Sequence, residues 1–109
     1  MHDDVFIILS NFPGADTARK AVRLLVEERL IACGNLLPGV ESIYEWKGAM
    51  ETANEVTVIA KTTAGRADEA MARLRALHPY DVPEILLLPV TTGWPDYLKW
   101  VAEQCMPRE

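Results

Sequence analysis

The feature that most constrains this chain is one long β-forming stretch, residues 31–62, which can fold back on itself at Lys47-Gly48. The first arm reads Ile-Ala-Cys-Gly-Asn-Leu-Leu-Pro-Gly-Val-Glu-Ser-Ile-Tyr-Glu-Trp, and the return arm ends Val-Thr-Val-Ile-Ala-Lys-Thr. From Val40 onward the side chains alternate: Val40, Ser42, Tyr44 and Trp46 share one face, while Glu41, Ile43, Glu45 and Lys47 share the other. That period of two is the pattern of a strand half-buried by something. A proline inside a strand is tolerated mainly at an edge or a bulge, so Pro38-Gly39 predicts a kink in the first arm. Arms of roughly ten residues or more exceed the usual five or six, and the hairpin should therefore overhang its neighbours.

The flanking segments supply those neighbours. Residues 5–9, Val-Phe-Ile-Ile-Leu, form a continuous apolar run suited to a central strand covered on both faces. After an N-cap at Asp16 or Thr17, apolar residues recur at Ala18, Ala21, Val22, Leu25, Val26 and Leu30, predicting a helix that ends near Gly34. Thr63 caps a second helix carrying Ala67, Ala70, Met71, Leu74 and Leu77, which Pro79 stops. Residues 84–90 read as a fourth strand, with Pro89 marking a sheet edge or the strand's end. Pro95 suits the first turn of a last helix containing Tyr97, Leu98, Trp100 and Val101.

The order β-α-β-β-α-β plus a helix is the ferredoxin-like, split-βαβ pattern of an α+β sandwich, with both main helices on one sheet face. Tyr44, Trp46 and Met50 lie on the overhang. Exposed aromatic strands invite another chain, which predicts an oligomer; the alternative is that the last helix folds back and covers them with Tyr97 and Trp100.

A length of 109 residues implies one domain, 1–109. The net charge of −5 speaks against a nucleic-acid partner and makes a cation the more natural small ligand, although solubility alone accounts for such a charge. An RNA-binding sheet is further disfavoured because residues 5–9 and 56–60 offer one Phe between them. Cys33 and Cys105 make no CxxC pair, so no zinc knuckle or redox motif is expected and a reducing cytoplasm fits. The start, Met-His-Asp-Asp-Val, has no signal-peptide character, and no apolar run approaches the ~18 residues of a membrane span.

The densest set of metal donors is His78-Pro79-Tyr80-Asp81-Val82-Pro83-Glu84, where an imidazole and the carboxylates of Asp81 and Glu84 lie between φ-restricting prolines. The alternative is that the prolines merely route the chain from helix to strand and the polar groups satisfy local backbone. Cys33 offers a thiolate to a soft ion, or else is a small buried residue at a helix-to-strand junction. His2 with Asp3 and Asp4 reads as a tail that catches adventitious metal at most. No G-x-S-x-G, P-loop, G-x-G-x-x-G or H-E-x-x-H occurs, and a non-enzyme is expected. Lys61 near the 78–84 carboxylates is the one acid-base pairing to watch, against the ordinary reading of a solvated lysine.

Four blocks together are distinctive: Ala32-Cys33-Gly34-Asn35 with Pro38-Gly39-Val40, residues 42–48, residues 78–84, and Tyr97-Leu98-Lys99-Trp100. In this order and at these separations the chain resembles the CutA divalent-cation tolerance family, from the first strand to the last helix. The resemblance implies a ferredoxin-like protomer, a homotrimer held by the long hairpins and the C-terminal segment, a cytoplasmic location, and a role in tolerance of copper and other divalent metals without a defined reaction. Where that family is assigned a copper site, it uses a cysteine at the end of the first strand and a histidine pair before Pro-Tyr. Here Ser10 and Leu77 stand at two of those positions. The expected site is then a loose one, with His78 joined by Asp81, Glu84 or a neighbouring subunit and Cys33 engaged only by soft ions. A second function class is a small-ligand signalling trimer of the PII-like type, which shares the architecture. It would need phosphate-cradling glycines or basic residues at its clefts, for which Gly65-Arg66 is an isolated candidate.

Overall fold

The computed structural model describes residues 4–107, so the candidate tail ligands His2 and Asp3 lie outside the described residues. Seven elements follow in order: β1 (Val5–Phe12), α1 (Ala15–Glu27), β2 (Cys33–Trp46), β3 (Ala49–Thr63), α2 (Ala64–Leu77), β4 (Ile85–Pro89) and α3 (Pro95–Gln104). The strands form one sheet in the order β2-β3-β1-β4, and every pairing is antiparallel. This is the β-α-β-β-α-β succession expected, with β1 and β3 at the centre and α3 added at the end.

Period-two alternation decides which face of the central strands is covered. Ile8, Ser10 and Phe12 of β1 pair with Ala60, Val58 and Val56 of β3, and all six are buried. Against them pack Ala18, Ala21, Val22 and Leu25 of α1 with Ala70 and Leu74 of α2, which makes the main core. Gly34 belongs to this layer: a Cβ there would lie 2.8 Å from Val22 Cγ1, so only glycine lets β2 pass this close beneath α1. On the other face, Val101 of α3 and Cys105, the residue capping its C-terminus, cover Val5 and Ala32 in a second, smaller cluster.

Much of that second face stays open. Ile7 and Leu9 pair with Leu88 and Leu86 of β4, Leu9 also pairs with Ile59, and Leu86 is 52% exposed. The apolar run of β1 therefore has one face in the core and one that the chain itself covers only at the α3 end. The hairpin overhangs as expected: Tyr44, Trp46 and Met50 are 44%, 50% and 71% exposed, so α3 does not fold back over them.

The turn and the kink follow from local chemistry. Lys47 and Gly48 have φ of +51° and +81° and join Trp46 directly to its partner Ala49, the two-residue turn whose twist matches a hairpin. Gly39 has φ +76°, and the register shifts between Leu37 and Val40, a bulge at the predicted position.

β1 runs on past the apolar run 5–9 to Phe12, and both ends of α1 differ from expectation. α1 starts at Ala15 with Gly14 as N-cap, while Thr17 turns its hydroxyl back to Gly14 O at 3.1 Å. It ends at Glu27, well before Gly34. There Arg29 takes φ +59° and Leu30 N–H bonds Leu25 O at 2.9 Å, closing the helix and sending buried Leu30, Ile31 and Ala32 towards β2. Leu30 continued the helical stripe in sequence but is buried by the turn instead.

Candidate functional site

Pro79 prevents α2 from continuing, and His78 at its end takes an extended conformation that turns the ring inward. His78 is buried and stacks on Phe12 with ring centroids 4.2 Å apart. Its Nδ1 accepts from the Tyr80 backbone N–H at 3.2 Å, so the proton resides on Nε2, which donates to Asn11 O at 2.8 Å. Both ring nitrogens are thus engaged. Burial is the main reason that its pKa is held below the usual 6.5, and the ring is neutral at pH 7.

Tyr80 extends the network towards the hairpin. Its hydroxyl donates to Glu55 Oε2 at 2.8 Å, and burial together with that bond pushes its pKa up to about 12. Asn11 Oδ1 accepts from Thr57 Oγ1 at 2.6 Å, tying β1 to β3 beside the ring, and Arg75 donates to Asp81 O at 3.1 Å. The result is a stiff 78–84 segment facing the bent hairpin across a cleft of about 660 Å³. Tyr44, Trp46, Glu55, Tyr80, Asp81 and Glu84 are among its walls.

Cys33 lies elsewhere. It is half-buried at the start of β2, and its Sγ is 3.5 Å from the Tyr97 hydroxyl. That hydroxyl's pKa is pushed up to about 12 by burial and the cysteine contact. Cys33 pairs with Lys61 and Lys61 with Ile7, whereas His78 docks at Asn11, four residues further along β1. That step is roughly 13 Å at the rise of a strand. Lys61 donates to Asn35, so the pairing of Lys61 with the 78–84 carboxylates does not occur, because register places it at the opposite end of the sheet.

Among the described residues no three His, Cys, Asp or Glu side chains converge on a point that could hold an ion. His78 has no free nitrogen, Cys33 is remote, and Asp81 and Glu84 are exposed on the rim. Ser10 is fully buried, its hydroxyl without a partner among the described residues, and Leu77 packs against the core. Within the single chain these residues do not fit a resident divalent ion. Cys105, at the C-terminal end of α3, is buried, and burial pushes its thiol pKa up.

Sequence reasoning missed Glu55, Asn11 and Thr57. Glu55 is only 8% exposed and sits opposite Val40 where the register resumes after the bulge. The signal available was an acidic residue directly preceding the apolar alternation of Val56, Val58 and Ala60.

A four-stranded antiparallel sheet with two helices on one face, a third at one end of the other, and a projecting central hairpin defines a ferredoxin-like α+β fold. Residues 6–104 match the family described as CutA1 divalent ion tolerance protein, and the chain belongs to that family. The divalent-cation tolerance protein CutA of Thermus thermophilus is 42% identical over 97 residues, covering 89% of this chain and 94% of that one. The crystal structure of CutA from Xylella fastidiosa superposes with a TM-score of 0.92 at 42% identity, over 94% of this chain and 99% of that one. A periplasmic divalent cation tolerance protein CutA from Archaeoglobus fulgidus superposes at 0.90 with 29% identity, over 94% and 99% of the two chains. Nothing in these matches supports the PII-like signalling alternative, and Arg66 is engaged by Glu28 O and Arg29 O, both at 3.2 Å.

Proposed function

We propose that this protein acts in divalent-cation tolerance as a non-catalytic, cytoplasmic homotrimer of one-domain protomers that meets copper or a similar ion only loosely. Family membership over residues 6–104 carries the reading. The trimer is supported by two surfaces that the protomer leaves uncovered, the apolar face around Leu86 and Leu88 and the overhang carrying Tyr44, Trp46 and Met50. Such area on a chain of this size calls for a partner copy, and Trp46 belongs at or near the subunit contact. The cytoplasmic assignment rests on two unpaired cysteines.

Loose metal contact follows from the donors. Asp81 and Glu84 are exposed and available, whereas His78 joins them only by giving up a bond to Asn11 or Tyr80. Cys33 serves a soft ion only by leaving Tyr97. Light scattering at micromolar concentration tests the assembly, with a trimeric mass expected and a monomeric mass overturning it. Calorimetric titration with Cu(II) tests the rest: weak binding that falls with Asp81→Asn is expected, and tight stoichiometric binding lost in His78→Ala would show that the ring rearranges into a true site.

A further inference from the structure

We infer that the hydrogen bond between Tyr80 and Glu55 is a latch that fixes the angle at which the long hairpin leaves the sheet. β3 pairs with β1 only as far as Val56, opposite Phe12. From Glu55, opposite Val40, to the turn, its ladder runs on with β2 alone. The outer hairpin is therefore a two-stranded ribbon, which twists readily and is marginal without support. The bulge between Leu37 and Val40, with Gly39 at φ +76°, interrupts the ladder at the same level. The end of β1 and the bulge coincide, and together they make a hinge.

Glu55 is the first residue of β3 beyond that hinge. Tyr80 donates its hydroxyl to Glu55 Oε2 at 2.8 Å, and among the described residues no other side-chain hydrogen bond joins residues 40–55 to the body of the fold. Tyr80 is itself anchored. Its backbone N–H donates to His78 Nδ1, whose ring donates from Nε2 to Asn11 O and stacks on Phe12. A rigid path thus runs from the core through His78 and Tyr80 to the ribbon, and it ends in a hydrogen bond to a carboxylate, stronger than one between neutral groups. The ribbon is a lever: Trp46 lies six residues beyond Val40, roughly 20 Å at the rise of a strand, so a swing of about 10° moves it by roughly 3 Å. The consequence for assembly rests on the reading in which Trp46 meets a neighbouring copy: the latch holds that contact surface in place, and its release loosens the subunits.

Hydrogen exchange of the full-length protein, followed peptide by peptide in a mass spectrometer, tests the hinge. Amides of residues 41–54 should exchange about tenfold faster or more in Tyr80→Phe, which removes only the hydroxyl, while those of residues 56–60, flanked by β1, keep their protection. Glu55→Leu breaks the same bond and carries the test should Tyr80→Phe melt early; Glu55→Gln, which keeps an acceptor for Tyr80, should change the rates less. Thr57→Val removes a bond to Asn11 within the part of β3 that β1 flanks, and should leave residues 41–54 as they are. Subunits should also pass between differently labelled copies about tenfold faster in Tyr80→Phe. Unchanged rates at 41–54 in the latch variants, acceleration spread equally over 56–60, or the same pattern from Thr57→Val would overturn the inference. A monomeric mass of the parent sinks the trimer alone, because exchange in the hairpin is read in either state.

Discussion

Ser10→Ala should make this protein more stable, although it removes a polar side chain from the centre of the fold. Ser10 is fully buried in β1, between Val58 of β3 and Ile85 of β4 in the ladder. Among the described residues its Oγ has no hydrogen-bond partner. An unsatisfied buried hydroxyl costs about 1–3 kcal/mol in lost hydration, and alanine abolishes that cost. Against it stands the void left by one oxygen, roughly 15 Å³, which at about 24 cal/mol per Å³ costs under ~0.5 kcal/mol. The balance is a gain of about 1–2 kcal/mol. With a urea m-value of about 2 kcal/mol/M, the unfolding midpoint should rise by roughly 0.5–1 M. The measurement is equilibrium urea unfolding followed by tryptophan fluorescence, at one fixed subunit concentration so that any assembly contributes equally. Ser10→Cys should move the midpoint the same way, since a thiol is far less demanding of partners. A lower midpoint for Ser10→Ala with unchanged m would refute the reasoning, because it would mean that the hydroxyl is satisfied in the folded protein.

Gly34→Ala should cost about 1–3 kcal/mol by overpacking, since its Cβ would meet Val22 Cγ1 at 2.8 Å and Cγ2 at 3.2 Å. Val22→Ala in the same chain should recover part of that loss, and strictly additive effects in the double-mutant cycle would rule out the contact as its cause. Stability should also decline at both ends of the pH scale. The pKa of His78 is lowered in the fold, so its contribution is whole above about 6.5 and is lost as pH falls from there through the folded value, where the unfolded chain takes up a proton first. The hydroxyls of Tyr80 and Tyr97 are raised to about 12, so stability should fall as pH rises above about 10, where the unfolded chain ionises first. Phenolate absorbance should show both rings titrating late, and Tyr80→Phe should remove one late component; early titration of all three tyrosines would contradict the Glu55 and Cys33 contacts.

Element order was legible because each signal is local. Alternation around Val40–Trp46, the stripe at Ala67, Ala70 and Leu74, and proline at 79 and 95 act through neighbours in the chain, and so does the Pro38-Gly39 bulge. The end of α1 was not legible, because Arg29 leaves the helical region while Leu30 goes on to be buried by a different turn. An apolar stripe does not distinguish the two.

The sequence by itself determined the succession of strands and helices, the hairpin's overhang, its turn and its kink, since these depend on side-chain period and on the φ preferences of proline and glycine. Only the tertiary structure decided which donors meet. Cys33 and His78 each offer a donor that chemistry suits to a metal, but strand register separates them along β1. His78 satisfies both its nitrogens within the fold, and Glu55, silent in the sequence, is brought beneath Tyr80 from 25 residues away. A site is a matter of distances between segments remote in the chain, and those are set by the packing of helices on a sheet rather than by any run of residues.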